Sequence, residues 1–573
     1  MMDPIYRGTI VSGLVTSLLL HYRPMRGDYA ALLYGALIII FFLRNVATNP
    51  RPLVTTAFVF GLHSFSSLSF TALYRISPWH PLARYPGPWL WKISSLRLVY
   101  VSFMGRRHLI LDDLHRKYGP VLRIGPSQLS FNKLSAYSVI YGAGTHMEKA
   151  DSYNTPGHLN IQALFFKQKT RDIHSERKRI WSKAFTSAAY VPILYFPSML
   201  KHHKSRISNL IPSIESRTLE MLHCIDRRQS ESSSDLFDLS RVLCHWAFDV
   251  MGEMVFGGSN NFDLMQSDDP DHLVEGGKMA TIVLDSFGQS PWLMDISWYL
   301  PAGQSLDRLR NLAAAMMRNR VKADAETTRR DLTSYLLEGE TSSGERIPLK
   351  DLELDAVVAM QGGSDNTSTT MCLAFYYMLA SNLEYGYYDQ LQKEVDGAFP
   401  DPSGPLDWEI LANLPFLNAT INEALRLASP YYLPRIIPKG GVVIDGDYIP
   451  EGVNVAIAAY SQQTSEDNFY PQPLDFRVER WLPGGLGPQS KTEKSALFSF
   501  STGPHACIAR SLAYQEMRYA MARIALAYDM MLGPNFDVKQ YRNGILNMRT
   551  TILEHPLMVT ARKRKGARLP KPL

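Results

Sequence analysis

The sequence predicts a mainly α-helical protein with a small β region, preceded by an N-terminal membrane anchor. Residues 352–382 are apolar almost all round, as in a central buried helix, and residues 413–428 and 512–532 form two further helical segments. Short β-type runs with glycine turns lie between residues 434 and 457. The chain of 573 residues is 46% apolar and 20% charged, which suits a globular protein with some membrane character.

Charge and cysteine content exclude several classes of protein. The net charge of +6 is small for this length, so we expect no nucleic-acid partner. Cys224, Cys244, Cys372 and Cys507 have neither CxxC pairing nor the spacing of a zinc site, which argues against a disulfide scaffold. These features predict a reducing environment that faces the cytosol.

Three apolar stretches occupy the N-terminus, at residues 8–20, 29–43 and 52–74. A bilayer needs roughly 20 apolar residues, so the third stretch is long enough to span, the second is borderline and the first could be interfacial. We therefore expect an anchor at residues 1–75 with one to three transmembrane segments, and buried soluble helices are the alternative. Arg75 and Arg84 follow the last stretch and favour a cytosolic remainder.

A proline-rich strap follows at residues 76–88. Its segment "SPWHPLARYPGP" holds four prolines, which cannot form a helix and should stiffen the connection. The remaining residues, 89–573, are predicted to form one catalytic body. This body has no GxSxG, HExxH, GxxxxGK[ST] or GxGxxG motif, so nucleophilic hydrolysis, zinc hydrolysis and nucleotide binding have no local support.

The stretch "FSFSTGPHACIAR" places a cysteine in a Gly-Pro-His loop. Phe500, Gly503, His505, Cys507 and Ala509 match F-x-x-G-x-[R/H]-x-C-x-[G/A]. This pattern resembles the haem-binding loop of the cytochrome P450 family, in which the cysteine thiolate ligates iron. Glycine allows close approach of the backbone, and backbone N–H groups with a helix N-terminus can stabilise the thiolate. From the loop alone, a buried inert cysteine is the alternative.

Two positions of this loop depart from the commoner family residues. His505 stands where the family usually has arginine; it can still bond a haem propionate, with a charge that depends on pH. Ala509 replaces the commoner glycine.

Further motifs occur in the order that the family shows. "ATINEALRLASP" carries Glu423 and Arg426 as ExxR, which share a helix face. Arg480 follows in "DFRVERW", where Val478 replaces the usual proline. The resemblance implies a buried structural network of Glu423, Arg426 and Arg480 behind the haem.

The segment "QGGSDNTSTT" interrupts the long apolar helix and resembles the family's oxygen-binding helix, [A/G]-G-x-[D/E]-T. Two adjacent glycines weaken a helix by about 1 kcal/mol each, and we expect them to leave room for dioxygen and substrate. Asp365 fits a proton relay, but Asn366 stands where threonine is usual. The relay could use the Asn366 amide, or Thr367 if the helix is locally unwound. A polar kink or small-residue packing face is the alternative.

Weaker signals concern the haem propionates and the substrate pocket. Arg435 lies where relatives often place a propionate-binding arginine, and His174 with Lys178 could face the haem from a helix or form a solvated basic face. Trp181 is expected to pack in the core. The predicted pocket lining, which suggests a mainly apolar substrate, consists of Tyr431, Tyr432, Leu433, Met360 and Gln361.

The resemblance implies a cytochrome P450 fold and a haem monooxygenase in the endoplasmic reticulum membrane, with its catalytic domain in the cytosol. Electrons would come from NADPH through a separate NADPH-cytochrome reductase, with cytochrome b5 as a second candidate partner. The strap further resembles that of fungal secondary-metabolism members, including those similar to tryprostatin B 6-hydroxylase. The alternatives are a haem-thiolate isomerase, lyase or dehydratase that needs no reductase, which Asn366 favours, and a haem-based sensor.

Overall fold

Helices make up most of the described chain in the computed structural model, which covers residues 4–154, 163–167, 170–185, 211–260, 262–323, 331–428 and 432–566. Three helices form the N-terminal region: α1 (Pro4–Tyr22), α2 (Gly27–Val46) and α3 (Pro52–Ile76). Both α2 and α3 are long and apolar enough to cross a membrane. By length and composition, these two helices are compatible with the predicted anchor.

The first helix, α1, packs along α3, and side-chain hydrogen bonds join the two. Thr16 Oγ1 lies 3.1 Å from His63 Nε2, and Ser17 Oγ lies 2.8 Å from Thr71 Oγ1. Such polar contacts between helices are characteristic of packing in an apolar surrounding, where an unpaired hydroxyl is costly. The N-terminal region is therefore a packed helical unit.

The strap between residues 77 and 88 contains no helix and is fixed to the body by a buried arginine. Arg123 donates from Nη1 to Arg75 O at 3.0 Å and contacts His80 Nε2 at 3.2 Å. Burial, together with the charge of Arg123, lowers the pKa of His80 to about 4, so this imidazole is neutral. The N-terminal helices and the body are thus connected by a segment that side-chain hydrogen bonds hold.

Twenty helices follow the strap. They are α4 (Trp89–Ile93), α5 (Leu96–Phe103), α6 (Arg107–Tyr118), α7 (Ser135–Tyr141), α8 (Arg171–Phe185), α9 (Ile211–Glu231), α10 (Leu239–Phe256), α11 (Leu264–Ser267), α12 (Leu273–Phe287), α13 (Pro291–Ser297), α14 (Pro301–Lys322), α15 (Leu332–Leu337), α16 (Leu349–Ala380), α17 (Asn382–Tyr385), α18 (Tyr387–Ala398), α19 (Trp408–Asn413), α20 (Pro415–Leu427), α21 (Ala459–Gln463), α22 (Arg510–Ala527) and α23 (Val538–Asn543), as counted over the described ranges.

The strands are short. They are β1 (Val121–Gly125), β2 (Gln128–Phe131), β3 (Glu148–Lys149), β4 (Phe237–Asp238), β5 (Arg435–Ile436), β6 (Val442–Ile444), β7 (Asp447–Ile449), β8 (Asn454–Ile457), β9 (Phe469–Tyr470), β10 (Lys491–Thr492), β11 (Tyr528–Leu532), β12 (Ile545–Asn547), β13 (Thr551–Leu553) and β14 (Met558–Lys563). One sheet has the order β1-β2-β8-β5-β3, with β2 and β8 parallel and its other pairs antiparallel. The predicted fold class, mainly α with a small β region, is confirmed.

The long apolar helix α16 is the centre of the core and packs on α10 with little space between the two backbones. A Cβ at Gly363 would lie 2.5 Å from the sulfur of Met251, so α10 occupies the space that this glycine leaves. Ser364 Oγ donates to Ala247 O at 3.2 Å across the same contact. The packing of α16 against its neighbours explains why a helix with two adjacent glycines remains continuous.

One element boundary differs from the sequence prediction. The helix expected at residues 512–532 ends at Ala527, and Tyr528–Leu532 forms β11. All five residues of this strand pair antiparallel with β14, and Tyr528 Oη donates to Leu222 O at 2.8 Å. The helical prediction was wrong here because the pairing partner, β14, is distant in sequence and local periodicity does not register it.

Candidate functional site

The Cys507 loop precedes α22 and is held by its own backbone hydrogen bonds. Cys507 N donates to Phe500 O at 2.9 Å, and Ala506 N donates to Gly503 O at 3.1 Å. Cys507 is exposed, whereas Cys224, Cys244 and Cys372 are buried. This loop therefore presents a thiol that a ligand can reach.

The thiol of Cys507 is reachable, yet protein atoms surround it densely. This desolvation raises its pKa, while the N–H of Ala509 and the positive charges of Lys178 and Arg510 partly offset the effect. These three groups stabilise a negative charge on sulfur, which is the form that binds a metal. A coordinating metal ion would remove the remaining proton from the thiol.

Gly503 fixes the loop against the end of α7. It has φ of +66°, and a Cβ there would lie 2.2 Å from Tyr141 O and 2.6 Å from Gly142 O. Both the left-handed backbone and the close approach require glycine. The position of Cys507 is consequently tied to α7.

Helix α8 supports the same loop through side chains. Lys178 Nζ donates to Pro504 O at 2.7 Å, and His174 Nε2 lies 3.2 Å from His505 Nδ1. The solvated basic face considered from the sequence is therefore wrong for this pair, because His174 is buried and Lys178 binds loop carbonyls. Trp181, on the same helix, is buried as expected.

His505 is neutral near pH 7. Its Nε2 lies 3.6 Å from a carboxylate oxygen of Glu148. Burial lowers the pKa of His505 to about 4; the Glu148 carboxylate opposes the shift, and Arg435 and Lys149 reinforce it. The titration near neutral pH that an exposed histidine would show is thus displaced to acid pH.

Beside the loop, a second group of cations lies on the adjacent strands β3 and β5, where Lys149 pairs with Arg435. Arg435 is 2% exposed, and its Nε has no hydrogen-bond partner among the described residues. Lys149 Nζ donates to Leu164 O at 2.9 Å and to Phe165 O at 2.6 Å. A buried guanidinium with an unused donor suits a carboxylate ligand.

Behind the loop, Glu423 on α20 binds two arginines and a tryptophan. Arg426 donates to both carboxylate oxygens at 2.8 and 2.7 Å, and Arg480 Nε lies 3.5 Å away. Trp481 Nε1 also donates to Glu423 at 2.8 Å. Burial would raise the pKa of Glu423, but the two arginines and these hydrogen bonds outweigh it and lower the pKa. The three motif residues meet in one buried network.

The open face of α16 carries Gly362 and Asn366. A Cβ at Gly362 would meet nothing within 4 Å, and Asn366 Nδ2 donates to Gly362 O at 2.8 Å. The expectation that both glycines leave room for a ligand is wrong for Gly363, whose space is filled by Met251. A small cavity adjoins this face, lined by Asn366, Thr369, Thr370, Leu425, Ala428, Ser499 and Thr551.

Asp365 and Thr367 lie on other faces of α16. Asp365 accepts a short hydrogen bond from Gln361 Nε2 and is 6% exposed; burial raises its pKa to about 7. Thr367 Oγ1 donates to Glu516 Oε2 at 3.3 Å, towards α22. Helix α16 is continuous through these residues. It is therefore not locally unwound, and Thr367 does not take the place of Asn366 beside the cavity.

The comparison with known protein families decides the identity. Residues 84–552 match the family model described as Cytochrome P450. The chain belongs to the cytochrome P450 family. Members of this family carry a haem with a cysteine thiolate ligand, and the reachable thiol of Cys507, its N–H and cationic surroundings, and the unused donor of Arg435 fit that group.

Several fungal cytochromes P450 are similar to this chain. Cytochrome P450 67 of Uromyces fabae is 31% identical over 504 residues, which cover 85% of this chain and 87% of that protein. Cytochrome P450 monooxygenase astJ of Aspergillus oryzae is 30% identical over 471 residues, covering 79% and 87%. Cytochrome P450 monooxygenase atnE of Emericella nidulans is 26% identical over 507 residues, covering 85% and 92%.

The residues that were predicted to line the substrate pocket lie in different surroundings in this cytochrome P450. Tyr431 lies outside the described residues. Met360 is fully buried in the main core, so its assignment to the lining is wrong. Tyr432 borders a small cavity beside Arg107, and half-buried Leu433 accepts a hydrogen bond from Tyr141 Oη at 2.9 Å. Gln361 instead holds Asp365.

Sequence reasoning missed Glu516. This residue on α22 is 3% exposed; burial raises its pKa to about 8, so the carboxyl is largely protonated at pH 7. It accepts from Thr367 and links the helix after the cysteine loop to α16. The sequence did contain a signal for Glu516: an acidic residue among the apolar residues of a buried helix costs free energy, so its presence there indicates a role.

We predict that Gly503→Ala loses most of its haem, because the new Cβ collides with Tyr141 O and displaces Cys507. Gly484→Ala is the matched control: Gly484 also has positive φ, +87°, but its Cβ would meet nothing within 4 Å. Both variants should lose at least about 1 kcal/mol of stability from the backbone. Haem content per protein measures the difference, and a Gly503→Ala protein with wild-type haem content would contradict this role.

Proposed function

We propose that the protein is a membrane-bound cytochrome P450 monooxygenase that inserts one oxygen atom from dioxygen into a mainly apolar small molecule. The observation that carries this proposal is the reachable thiol of Cys507, held by Gly503 in a chain that matches the family over residues 84–552. Electrons would come from NADPH through a separate NADPH-cytochrome reductase, with cytochrome b5 as a second candidate donor.

Cys507 would ligate the haem iron, and Arg435 and His505 would face the propionates. Phe500 and Gly503 would hold the loop, through the carbonyl that Cys507 N–H reaches and through the contact with α7. Haem, when bound, supplies the activation of dioxygen. The remaining steps need protons, positioned substrate and limited water, which the side chains of this chain must provide.

Asp365 is the residue that we assign to proton delivery. A carboxyl with a pKa of about 7 takes up and releases protons readily near neutral pH, as general acid–base catalysis requires. Asn366 lies one residue further, beside Gly362 on the face that adjoins the cavity. Asn366, whose amide neither gains nor loses a proton near pH 7, would orient the acceptor of the proton by hydrogen bonding. Thr367 would fix α16 against Glu516 rather than join the relay.

Contacts of the anchor with the catalytic body support attachment to a membrane, which we place at the endoplasmic reticulum with the body in the cytosol. Gly27 N, at the start of α2, donates to Asp295 at 3.0 Å, and Tyr299 Oη donates to Asp28 at 3.3 Å. Trp292 and Leu300 are exposed beside these contacts, as expected of residues at a lipid surface. The anchor would therefore hold this face of the body against the bilayer.

A role in fungal secondary metabolism is the pathway-level part of the proposal. It rests on the similarity to fungal proteins named cytochrome P450 monooxygenases and on the strap motif. A second candidate, a haem-thiolate isomerase, lyase or dehydratase, is favoured by one observation, Asn366 in place of threonine on the open face of α16. Such an enzyme would need neither Asp365 nor a reductase.

The experiment that separates these two functions uses the native substrate, identified by comparing metabolites of the host with and without the gene. With purified reductase, NADPH and ¹⁸O₂, we expect the product to contain one ¹⁸O atom, and we expect no product when reductase is omitted. Reductase-independent turnover without added peroxide would overturn the monooxygenase function while leaving the fold assignment intact.

We predict that Asp365→Asn slows product formation by roughly 10²-fold, the usual scale for an acid–base group, with normal haem content. Since burial raises the pKa of Asp365 to about 7, its carboxyl is protonated below that pH, and wild-type product per NADPH should fall as pH rises through about 7. The Asp365→Asn enzyme should not show this fall in product per NADPH with pH.

Asn366→Thr is the companion variant, because it introduces the residue that the family usually has. In a monooxygenase it should keep or improve the coupling of NADPH to product. Loss of activity in Asn366→Thr, with an Asp365→Asn enzyme that turns over normally, would contradict the proposed relay and favour the isomerase or lyase.

A further inference from the structure

A buried cluster of charged side chains lies outside the haem-facing residues. It consists of Arg107 on α6, Asp285 on α12 and Arg549 between β12 and β13. Their exposed fractions are 0%, 1% and 9%, respectively. No motif of the sequence analysis includes any of the three.

The charges of this cluster do not balance. Arg107 Nη2 lies 2.9 Å from one oxygen of Asp285, and Arg549 Nε lies 3.9 Å from the other. Among the described residues, neither arginine forms an ion pair with any other carboxylate. One carboxylate therefore serves two guanidinium groups, which leaves an excess positive charge in a buried place. Burying an unpaired charge costs free energy unless an oppositely charged group pairs with it.

Arg549 is also rigidly held with one donor unused. Its Nη2 donates to Ser152 O in a short bond and to Leu284 O at 3.1 Å. The guanidinium stacks on the ring of Tyr153, 4.4 Å from its centroid, and lies 5.7 Å from that of Phe165. Within the described part of the chain, Nη1 has no hydrogen-bond partner. The side chain is preorganised, so ordering it on ligand binding would cost little additional entropy.

Other unused polar atoms surround that donor. The hydroxyl of Ser152 and the Nε of Arg107 are buried and have no hydrogen-bond partner within the described ranges. The buried hydroxyl of Tyr153 lies beside the guanidinium of Arg435. Burial raises the pKa of Tyr153, so its hydroxyl remains a donor at neutral pH. Several unsatisfied donors around one excess positive charge form a site for a ligand with negatively charged oxygen atoms.

This site adjoins the face of α16 that carries Asn366. Arg549 lies two residues before Thr551, which lines the same cavity as Asn366. Thr369 Oγ1 donates to Thr551 O at 3.3 Å and ties this segment to α16. Half-buried Phe165 and Leu284 contact Arg549 and belong to a small apolar group with Ala163, Phe166 and Leu354. A molecule that fits both parts needs an apolar skeleton and one anionic end.

We propose that the substrate carries a carboxylate that binds Arg549, with Arg107, Tyr153 and Ser152 as further donors, while its apolar part extends towards Asn366. The proposal rests on the monooxygenase function and names its substrate class, an apolar carboxylic acid. Arg549 is thereby a specificity-determining residue. A haem propionate offers the same chemistry as a substrate carboxylate, so the test must separate these two sources.

The test compares matched acids and amides on the haem-loaded enzyme. The probes are dodecanoate with dodecanamide and 1-naphthylacetate with 1-naphthylacetamide, titrated against the spin-state absorbance change of the ferric haem and checked by equilibrium dialysis. In the wild type, at least one acid should bind ten or more times as tightly as its amide, a difference of about 1.4 kcal/mol. If no acid binds more tightly than its amide, the proposal is overturned.

Variants assign the preference to this site. Arg549→Gln should abolish the preference for the acid, and Arg549→Lys, which keeps the charge, should retain part of it. Arg562→Gln removes an exposed arginine of β14 and should retain all of it. Should Arg549→Gln fail to fold, Tyr153→Phe removes one buried hydroxyl beside the site and should lower the preference several-fold. Unchanged preference in the folded variants would refute the assignment.

Haem content separates the two carboxylate sources. If Arg549→Gln loses haem while its remaining holoenzyme keeps the preference for acids, a propionate occupies the site and the substrate proposal is wrong. A wild-type protein that binds no haem would instead overturn the monooxygenase function itself, and the two failures are therefore distinguishable.

Discussion

The constraint on which the rest of the structure depends is the fixed position of one thiol on a loop. Cys507 is held by the hydrogen bond from its backbone N–H to Phe500 O and by the close approach of Gly503 to Tyr141 O. Lys178 on α8 also donates a hydrogen bond to Pro504 O of this loop. A loop alone would be too mobile to keep a metal ligand in place, so α7, α8 and α22 must pack around it. The buried Glu423 network lies on α20, and Ser499 Oγ, one residue before Phe500, donates to Leu425 O of the same helix at 3.0 Å.

Helix α16 meets three different demands at neighbouring positions. Gly363 is closed against α10, Thr367 is fixed to Glu516 on α22, and Asn366 lies beside the cavity. Burial keeps the acids Asp365 and Glu516 near or above neutral pKa, so neither places a full negative charge in the core at pH 7. A helix that is apolar almost all round thus carries its polar chemistry at a few shielded positions.

Sequence patterns predicted the parts whose signal is local. The long apolar run gave α16 to within three residues at its start and two at its end, because burial on all sides leaves a continuous pattern. The end of α22 was missed because β11 depends on its pairing with β14. The cluster of Arg107, Asp285 and Arg549 could not be predicted, since it joins residues separated by more than 170 positions and an isolated arginine carries no signal of burial.

The measurement that tests the central claim most directly is the absorbance of reduced protein with carbon monoxide, in the wild type and in Cys507→Ser. A thiolate donates strongly to iron and shifts the band to about 450 nm, as expected for the family. The wild type should show this band and Cys507→Ser should lack it, while Cys372→Ser, at a buried cysteine, should keep it. Retention of the band in Cys507→Ser would show that another residue is the ligand and would contradict the account of the site.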